Sequence, residues 1–323
     1  MSIVQTIRGP IDSSALGRTL SHEHLTNGTS GMERIPGLLD RDEMVDRCVE
    51  ALERVHQSGI DTVIDLTTFD LGRQMWLFER VAERTNVNVV CATGVYRWVP
   101  PIYFGWDEDE IAAHFAREIT DGIEGSGIRA GIIKLAWDLE YRLNEGSPRF
   151  SSRGHLERTA RGAARAAKAT GVPISCHTRA VDELGTPLLD IFADEGLDLR
   201  TVTIGHSNDT SDLRYLRSLL DRGAMVGLDR FFSDQPEYVA QRGGIALSLI
   251  QSGFADRICL GHDATPAGLW SRWREERTPA CWALVPDHEV PWLLANGATE
   301  DQIDGALRRS VRATFEAAAA PRK

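Results

Sequence analysis

Several features that would point to other classes of protein are scarce or missing in this sequence. The 323 residues include only five cysteines, an odd number with no C-x-x-C pair, which argues against a disulfide framework or a structural zinc site. Basic residues number 36 against 47 acidic ones, and the net charge of −11 disfavours nucleic acid or an anionic membrane as the main partner. No apolar run approaches the length of a membrane span. Met1–Thr6 lacks the basic and apolar regions of a secretion signal, so we expect a cytoplasmic protein.

The composition that remains is that of a globular protein with a large core. Hydrophobic residues make up 42% of the chain and charged residues 26%, which are ordinary values for a soluble domain. There is no low-complexity linker, no recognisable tandem repeat and no long block of one charge. We therefore predict a single domain over residues 1–323.

Eight short β-type runs recur along the chain, separated by polar stretches of helical period. Most are nearly continuous in apolar residues, as expected of strands buried on both faces. The predicted strands are 19–25, 62–66, 88–93, 130–135, 173–177, 201–206, 225–228 and 258–263. Near the C-terminus, Thr299-Glu300-Asp301-Gln302 has the form of a capping box and predicts the start of the last helix.

This alternation of strands and helices predicts an α/β protein with a closed (β/α)8 TIM barrel. The main alternative is an open, doubly wound sheet, which would be expected to have a glycine-rich phosphate turn after its first strand. The first predicted strand ends instead in His-Glu-His-Leu, which disfavours the open sheet.

His22 and His24 flank Glu23 at the end of that first strand. In a strand, side chains at i and i+2 lie on one face, whereas on a helix they would point about 200° apart. A His-x-His pair alone is weak evidence for a metal, since core histidines are common.

Four further residues of metal-binding type end other predicted strands. They are Lys134, His177, His206 and Asp263. The C-terminal ends of barrel strands converge on one mouth, and strands one and eight are neighbours in a closed barrel. Four imidazoles, a carboxylate and a lysine exceed the needs of one tetrahedral ion and predict a binuclear centre. Zinc is the first choice of metal, with cobalt, manganese or iron(II) also compatible with these ligands.

Lys134 is the unusual member of this set. A protonated ammonium would repel the cations and has no lone pair to offer them. Carboxylation by CO₂ would convert it to a carbamate of charge −1 whose two oxygens could bridge two ions. The alternative is a lysine that extends to solvent from the barrel mouth or pairs with a carboxylate.

At these positions the chain resembles the phosphotriesterase family of the amidohydrolase superfamily. Within the family it is similar to the phosphotriesterase-like lactonases, and most of all to the bacterial quorum-quenching N-acyl-homoserine lactonases. The resemblance runs from about Arg8 through Phe315. The residues behind it are Ser21-His22-Glu23-His24-Leu25, Lys134, Cys176-His177-Thr178, Ile204-Gly205-His206 and Gly261-His262-Asp263.

The resemblance implies a role for each predicted ligand. The buried metal is bound by His22, His24 and Asp263, and the more exposed metal by His177 and His206. Lys134, as N6-carboxylated lysine, bridges both. A homodimer is also implied.

On the substrate side, the resemblance implies that Tyr96, in Thr93-Gly94-Val95-Tyr96, contacts the lactone and the bridging hydroxide. Arg230 matches an arginine near the pocket of lactonase members, and Trp98 stands where many of them have another tyrosine. The alternative for Tyr96 and Arg230 is a residue of the barrel mouth with its polar tip hydrogen-bonded.

The stretch after the eighth strand is long and rich in tryptophan. It contains Trp270, Trp273, Trp282 and Trp292. Long βα loops at a barrel mouth usually shape substrate binding, so these rings predict an aromatic lid, with Trp270 as a substrate contact. Alternatively, the rings pack the lid onto the barrel or bury a dimer contact.

Together these features predict a binuclear metal-dependent hydrolase that opens the lactone ring of N-acyl-homoserine lactones and so degrades quorum-sensing signals. A metal-bridging hydroxide would attack the carbonyl, with Asp263 as the proton acceptor. An alternative with the same machinery is a phosphotriesterase or carboxylesterase acting on aryl esters. A third reading, of another class, is a TIM barrel that binds metal without catalysis.

Overall fold

Eight parallel strands form one continuous sheet that curls into a barrel. The chain is described by a computed structural model, which covers residues 2–320 apart from 36, 39, 98, 139–151 and 270–278. Each strand pairs in parallel with the next in sequence. The strands are β1 (Thr19–Glu23), β2 (Thr62–Asp65), β3 (Asn88–Gly94), β4 (Ile132–Trp137), β5 (Ile174–Thr178), β6 (Val202–Gly205), β7 (Met225–Leu228) and β8 (Ile258–Leu260). The predicted (β/α)8 barrel is confirmed, with the strand ends shifted by a few residues.

Helices follow the strands and pack their apolar faces on the outside of the barrel. They are α1 (Arg41–Gln57), α2 (Met75–Ala82), α3 (Glu108–Thr120), α4 (Ser152–Thr170), α5 (Gly185–Asp194), α6 (Leu213–Asp221), α7 (Pro236–Leu249), α8 (Val290–Ala295), α9 (Glu300–Asp304) and α10 (Ser310–Ala319). The predicted capping box is present, because Thr299 accepts from the Gln302 amide and Gln302 from the Thr299 amide. None of the helices among the described residues is long and apolar enough to cross a membrane.

The barrel closes where the segment after β8 meets β1. The Asp263 amide donates to the carbonyl of His22 at 2.9 Å, and the His24 amide donates to the carbonyl of Ala264 at 3.0 Å. A Cβ at Gly261 would lie only 2.9 Å from the His22 nitrogen, so this approach requires glycine. Closure therefore places Asp263 beside the histidine pair, as predicted from the adjacency of strands one and eight.

The opposite end of the barrel is filled. Ile132 and Met225, the first residues of β4 and β7, share an apolar cluster with Val311 and Phe315 of α10. A hairpin of Ile3–Thr6 and Gly9–Asp12, which the sequence analysis did not predict, also lies at this end. It is anchored by a hydrogen bond of 2.9 Å from the Ile7 amide to the carbonyl of Val89 in β3. The open mouth is thus the C-terminal one.

Candidate metal centre

The structure brings all six predicted ligands together at the C-terminal mouth. Lys134 and His177 lie within β4 and β5, and His22 lies in β1 with His24 directly after it. His206 and Asp263 follow the ends of β6 and β8 with φ angles of 59° and 51°. This left-handed conformation is uncommon for residues other than glycine and turns the chain sharply at the mouth. Their binding of metal stays a prediction, while their convergence is a property of the fold.

One group of ligand atoms forms around Asp263. Its Oδ1 lies 3.0 Å from Nε2 of His24 and 3.4 Å from Nε2 of His22. Nζ of Lys134 lies 3.0 Å from the same nitrogen of His22. His22, His24 and Asp263 can each direct one ligand atom at a common ion.

A second group lies beside the first. Nδ1 of His177 and Nε2 of His206 are only 2.7 Å apart, with the two rings nearly perpendicular. Oδ2 of Asp263 lies 4.0 Å from the same Nε2 of His206. His22, His206 and Asp229 could also direct one ligand atom each at a common ion, so the assignment of the ligands to two metals stays a prediction.

Asp229, which no sequence motif had singled out, contacts the outer ring nitrogens of two of the four histidines. Its Oδ2 lies 2.6 Å from Nδ1 of His22, and its Oδ1 lies 2.7 Å from Nδ1 of His206. Burial alone would raise the pKa of Asp229, but His206 and His22 hold it well below its usual range. Since an ionised carboxylate only accepts hydrogen bonds, Nδ1 of His22 donates to it and Nε2 of His22 keeps a lone pair. Nδ1 of His206 also lies 2.9 Å from Nε of Arg230, which donates to it.

The other two histidines are oriented in the same way. The hydroxyl of Thr67 donates to the carbonyl of Thr26 at 3.0 Å, so it accepts from Nδ1 of His24 at 2.9 Å. Nε2 of His177 lies 2.9 Å from Oδ2 of Asp138, a second residue that no sequence motif had singled out. Every imidazole thus has its outer nitrogen occupied and its inner nitrogen turned towards the other ligands.

This arrangement fits divalent cations. Burial lowers the pKa of His22 to about 4 and also lowers the pKa values of His177 and His206, so the three rings are neutral at neutral pH. A neutral imidazole can offer a ring nitrogen to a cation, and the carboxylate beside these rings can offer an oxygen. Their donor chemistry is that of zinc and similar ions.

Lys134 is enclosed within this ligand set. It is only 1% exposed, and among the described residues no carboxylate lies within ion-pair distance of its ammonium. Burial lowers the pKa of Lys134 to about 8. The geometry therefore favours neither a lysine that extends to solvent nor one that pairs with a carboxylate.

A cavity of about 900 Å³ opens above the ligands. Tyr96 and Arg230 line it, and the Tyr96 ring meets His177 edge-on at 5.4 Å between centroids. Nε of Arg230 lies 3.4 Å from Oδ2 of Asp263. Two predicted substrate contacts, Trp98 and Trp270, lie outside the described residues.

Two of the four tryptophans after β8 can be placed, and both pack against the protein. Trp282 is fully buried, and its Nε1 donates to the carbonyl of Ala264 at 3.0 Å. The Trp292 ring packs against Gly243 of α7, where a Cβ would approach it to 2.7 Å. For these two rings the packing interpretation is correct and the lid interpretation is wrong.

An α/β barrel with histidines, a lysine and an aspartate at the C-terminal mouth belongs to the general class of barrels with an enzyme-like site whose side chains could bind a metal. Comparison with known proteins gives the family. The family model described as "Phosphotriesterase family" matches residues 2–315. The chain belongs to the phosphotriesterase family.

Three relatives are similar to this chain over almost its whole length. The "Phosphotriesterase homology protein" of Mycobacterium tuberculosis is 36% identical, over 98% of both chains. The "Aryldialkylphosphatase" of Saccharolobus solfataricus is 32% identical, over 94% of this chain and 96% of the relative. The "N-acetyltaurine hydrolase" of Danio rerio is 23% identical, over 94% and 95%.

One solved structure has the same fold as this chain over nearly its whole length. It is described as the phosphotriesterase from Mycobacterium tuberculosis and superimposes with a TM-score of 0.85 at 34% identity. The match covers 97% of this chain and 98% of that one.

Proposed function

We propose that the protein is a metal-dependent lactonase that opens the ring of N-acyl-homoserine lactones and so degrades this class of quorum-sensing signal. The observation behind this proposal is a large cavity that is lined both by predicted ligands, His177 and Asp263, and by a group of apolar residues from neighbouring loops. The polar end suits a reacting carbonyl, and the apolar wall suits an acyl tail.

The proposed centre holds two divalent cations, with zinc as the first choice. His22, His24 and Asp263 would hold one ion, and His177 and His206 the other. Lys134, carboxylated at Nζ, would supply an anion to both. When bound, such ions lower the pKa of water to about 7 and polarise a carbonyl group.

The chain's own residues supply proton transfer and orientation. Burial would raise the pKa of Asp263, but Arg230 and the neighbouring histidines hold it well below its usual range. Asp263 is therefore ionised and can accept the proton of an attacking water and deliver it to the leaving alkoxide. Burial raises the pKa of Tyr96, so its phenol stays protonated and can donate to the developing oxyanion.

The apolar wall is formed by the loops after β2 and β3. Its residues are Phe69, Leu71, Pro100, Pro101 and Ile102. An acyl chain that extends from the ring along this wall would bury up to ~0.8 kcal/mol per CH₂, which is several-fold in kcat/KM. This wall supports an amphipathic substrate over a compact one.

The relative named aryldialkylphosphatase supports a second candidate, in which the electrophile is a phosphotriester. The same ligand set stabilises negative charge on a phosphoryl oxygen as well as on a carbonyl oxygen. The two candidates differ in the shape of the substrate and can be separated by rates.

Kinetics across an acyl-chain series test the lactone assignment. We expect kcat/KM to rise with chain length and to exceed that of an aryl phosphotriester or an aryl ester under the same metal. Ile102→Ala should lower kcat/KM for the longest chain by roughly threefold or more and leave the shortest unchanged, because it removes part of the apolar wall.

Ile3→Ala is the matched control for that variant. Ile3 is 60% exposed at the closed end of the barrel, whereas Ile102 is 62% exposed at the mouth. The control should leave the chain-length profile unchanged. An aryl phosphotriester turned over tenfold faster than every lactone would replace the lactonase assignment with the phosphotriesterase one.

A further inference from the structure

Asp70 is a carboxylate placed within the apolar wall of the cavity. It lies between Phe69 and Leu71, in the turn after β2, and lines the cavity together with Tyr96. Burying a carboxylate beside apolar groups is unfavourable unless hydrogen bonds compensate. Burial raises the pKa of Asp70 to about 6, and it remains ionised at neutral pH.

The Asp70 carboxylate accepts hydrogen bonds from its own loop and from the loop after β3. The Tyr96 amide lies 2.9 Å from Oδ2 and 3.0 Å from Oδ1 of Asp70, and the Thr68 hydroxyl donates to Oδ1 at 2.6 Å. The β3 ladder ends just before this point. The Val95 amide still donates to the Lys134 carbonyl at 2.9 Å, whereas the Tyr96 amide lies beyond the last strand partner.

The Asp70 carboxylate therefore accepts the hydrogen bond of the Tyr96 amide, which has no partner in a neighbouring strand among the described residues. It connects the loop after β2 with the loop after β3 at the point where the Tyr96 ring turns edge-on to His177. A hydrogen bond to an ionised acceptor is about twice as strong as one between neutral groups. The position of the phenol over the ligand set thus depends on a side chain from another loop.

We propose that Asp70 is a positioning residue, which fixes the Tyr96 backbone and so holds the Tyr96 phenol at the reacting end of the cavity. This inference rests on the proposed function, because Tyr96 acts there on the substrate. Asp70 does not contact the reacting atoms and acts through Tyr96.

A double-mutant cycle tests this dependence. Asp70→Ala should lower kcat by about tenfold or more with a smaller change in KM, because a misplaced phenol weakens the transition state more than substrate binding. Asp70→Asn, which keeps an oxygen acceptor for the Tyr96 amide, should recover most of that loss. In a Tyr96→Ala background, Asp70→Ala should change kcat by less than twofold.

Backbone hydrogen exchange gives a readout that needs no substrate. The Tyr96 amide should exchange faster in Asp70→Ala than in the parent protein and be largely protected again in Asp70→Asn. Asp198→Ala is the matched control, since Asp198 accepts the Arg200 amide at 3.0 Å before β6, at the other end of the barrel. It should change neither kcat nor the exchange at Tyr96.

Two results would overturn the positioning role. One is an equal loss of kcat on Asp70→Ala with and without the Tyr96 ring, which would mean that Asp70 does not act through the Tyr96 phenol. The other is unchanged exchange at Tyr96 in Asp70→Ala. If no lactone is hydrolysed, the lactone assignment fails by itself, and the same cycle is then measured with the ester or phosphotriester that is turned over.

Discussion

Replacing Lys134 with alanine is expected to remove most of the bound metal and to lower kcat/KM by about a hundredfold or more. The lysine is buried with its Nζ 3.0 Å from Nε2 of His22, in the middle of the predicted ligands. Without an anion at this position, two cations would face each other with little screening in a region of low dielectric constant. Metal content and turnover should therefore fall together, and both are measured on the dialysed protein.

Chemical rescue makes the Lys134 result specific. A short carboxylic acid in the buffer should restore part of the rate of Lys134→Ala, because its carboxylate can occupy the space of the carbamate. Lys168→Ala is the matched control, since Lys168 lies on α4 and donates to the carbonyl of Glu195. A Lys134→Ala enzyme with normal metal content and turnover would show that the lysine has no part in the centre.

The second large effect concerns Asp263. Asp263→Asn keeps an oxygen ligand but removes the proton acceptor, so kcat should fall by about 10² or more while KM changes less. The carboxylate lies 3.0 Å from Nε2 of His24 and 3.4 Å from Nε of Arg230, and the amide would retain much of this geometry. Steady-state kinetics and metal analysis of the same sample separate proton transfer from metal loss.

A matched control for this variant is Asp212→Asn. Asp212 caps α6 by accepting the Arg214 amide at 2.9 Å, and it lies outside the ligand set. It should leave kcat unchanged. Unchanged kcat in Asp263→Asn with metal retained would exclude Asp263 as the proton acceptor.

The barrel and the convergence of its ligands could be predicted because they depend on local pattern. Each strand is a short apolar run, and Lys134, His177, His206 and Asp263 each interrupt or end such a run. Parallel strands in a closed barrel then place these residues at one mouth, whatever the details of the loops. The capping box at Thr299 was likewise a local signal, and it opens α9, which continues through a π-helical turn into the last helix, α10.

The contacts of Asp229, Asp138 and Asp70 could not be predicted, because they join residues that are far apart in sequence and meet only in the folded chain. Asp229 ends the apolar run of β7, as Asp263 follows β8, but the sequence does not reveal that its carboxylate reaches two histidines from other strands. Asp138 and Asp70 form hydrogen bonds with partners 39 and 26 positions away in sequence. The hairpin at Ile3–Thr6 was missed because its two strands are only four residues each and partly exposed.

Hydrolysis should depend on a two-metal centre held by this ligand set, and metal analysis of the protein can be coupled to an activity assay. Purified protein should contain about two equivalents of divalent metal per chain, lose lactone hydrolysis on chelation, and regain it as metal is restored. Full turnover by protein with no bound transition metal would show that hydrolysis does not depend on a metal.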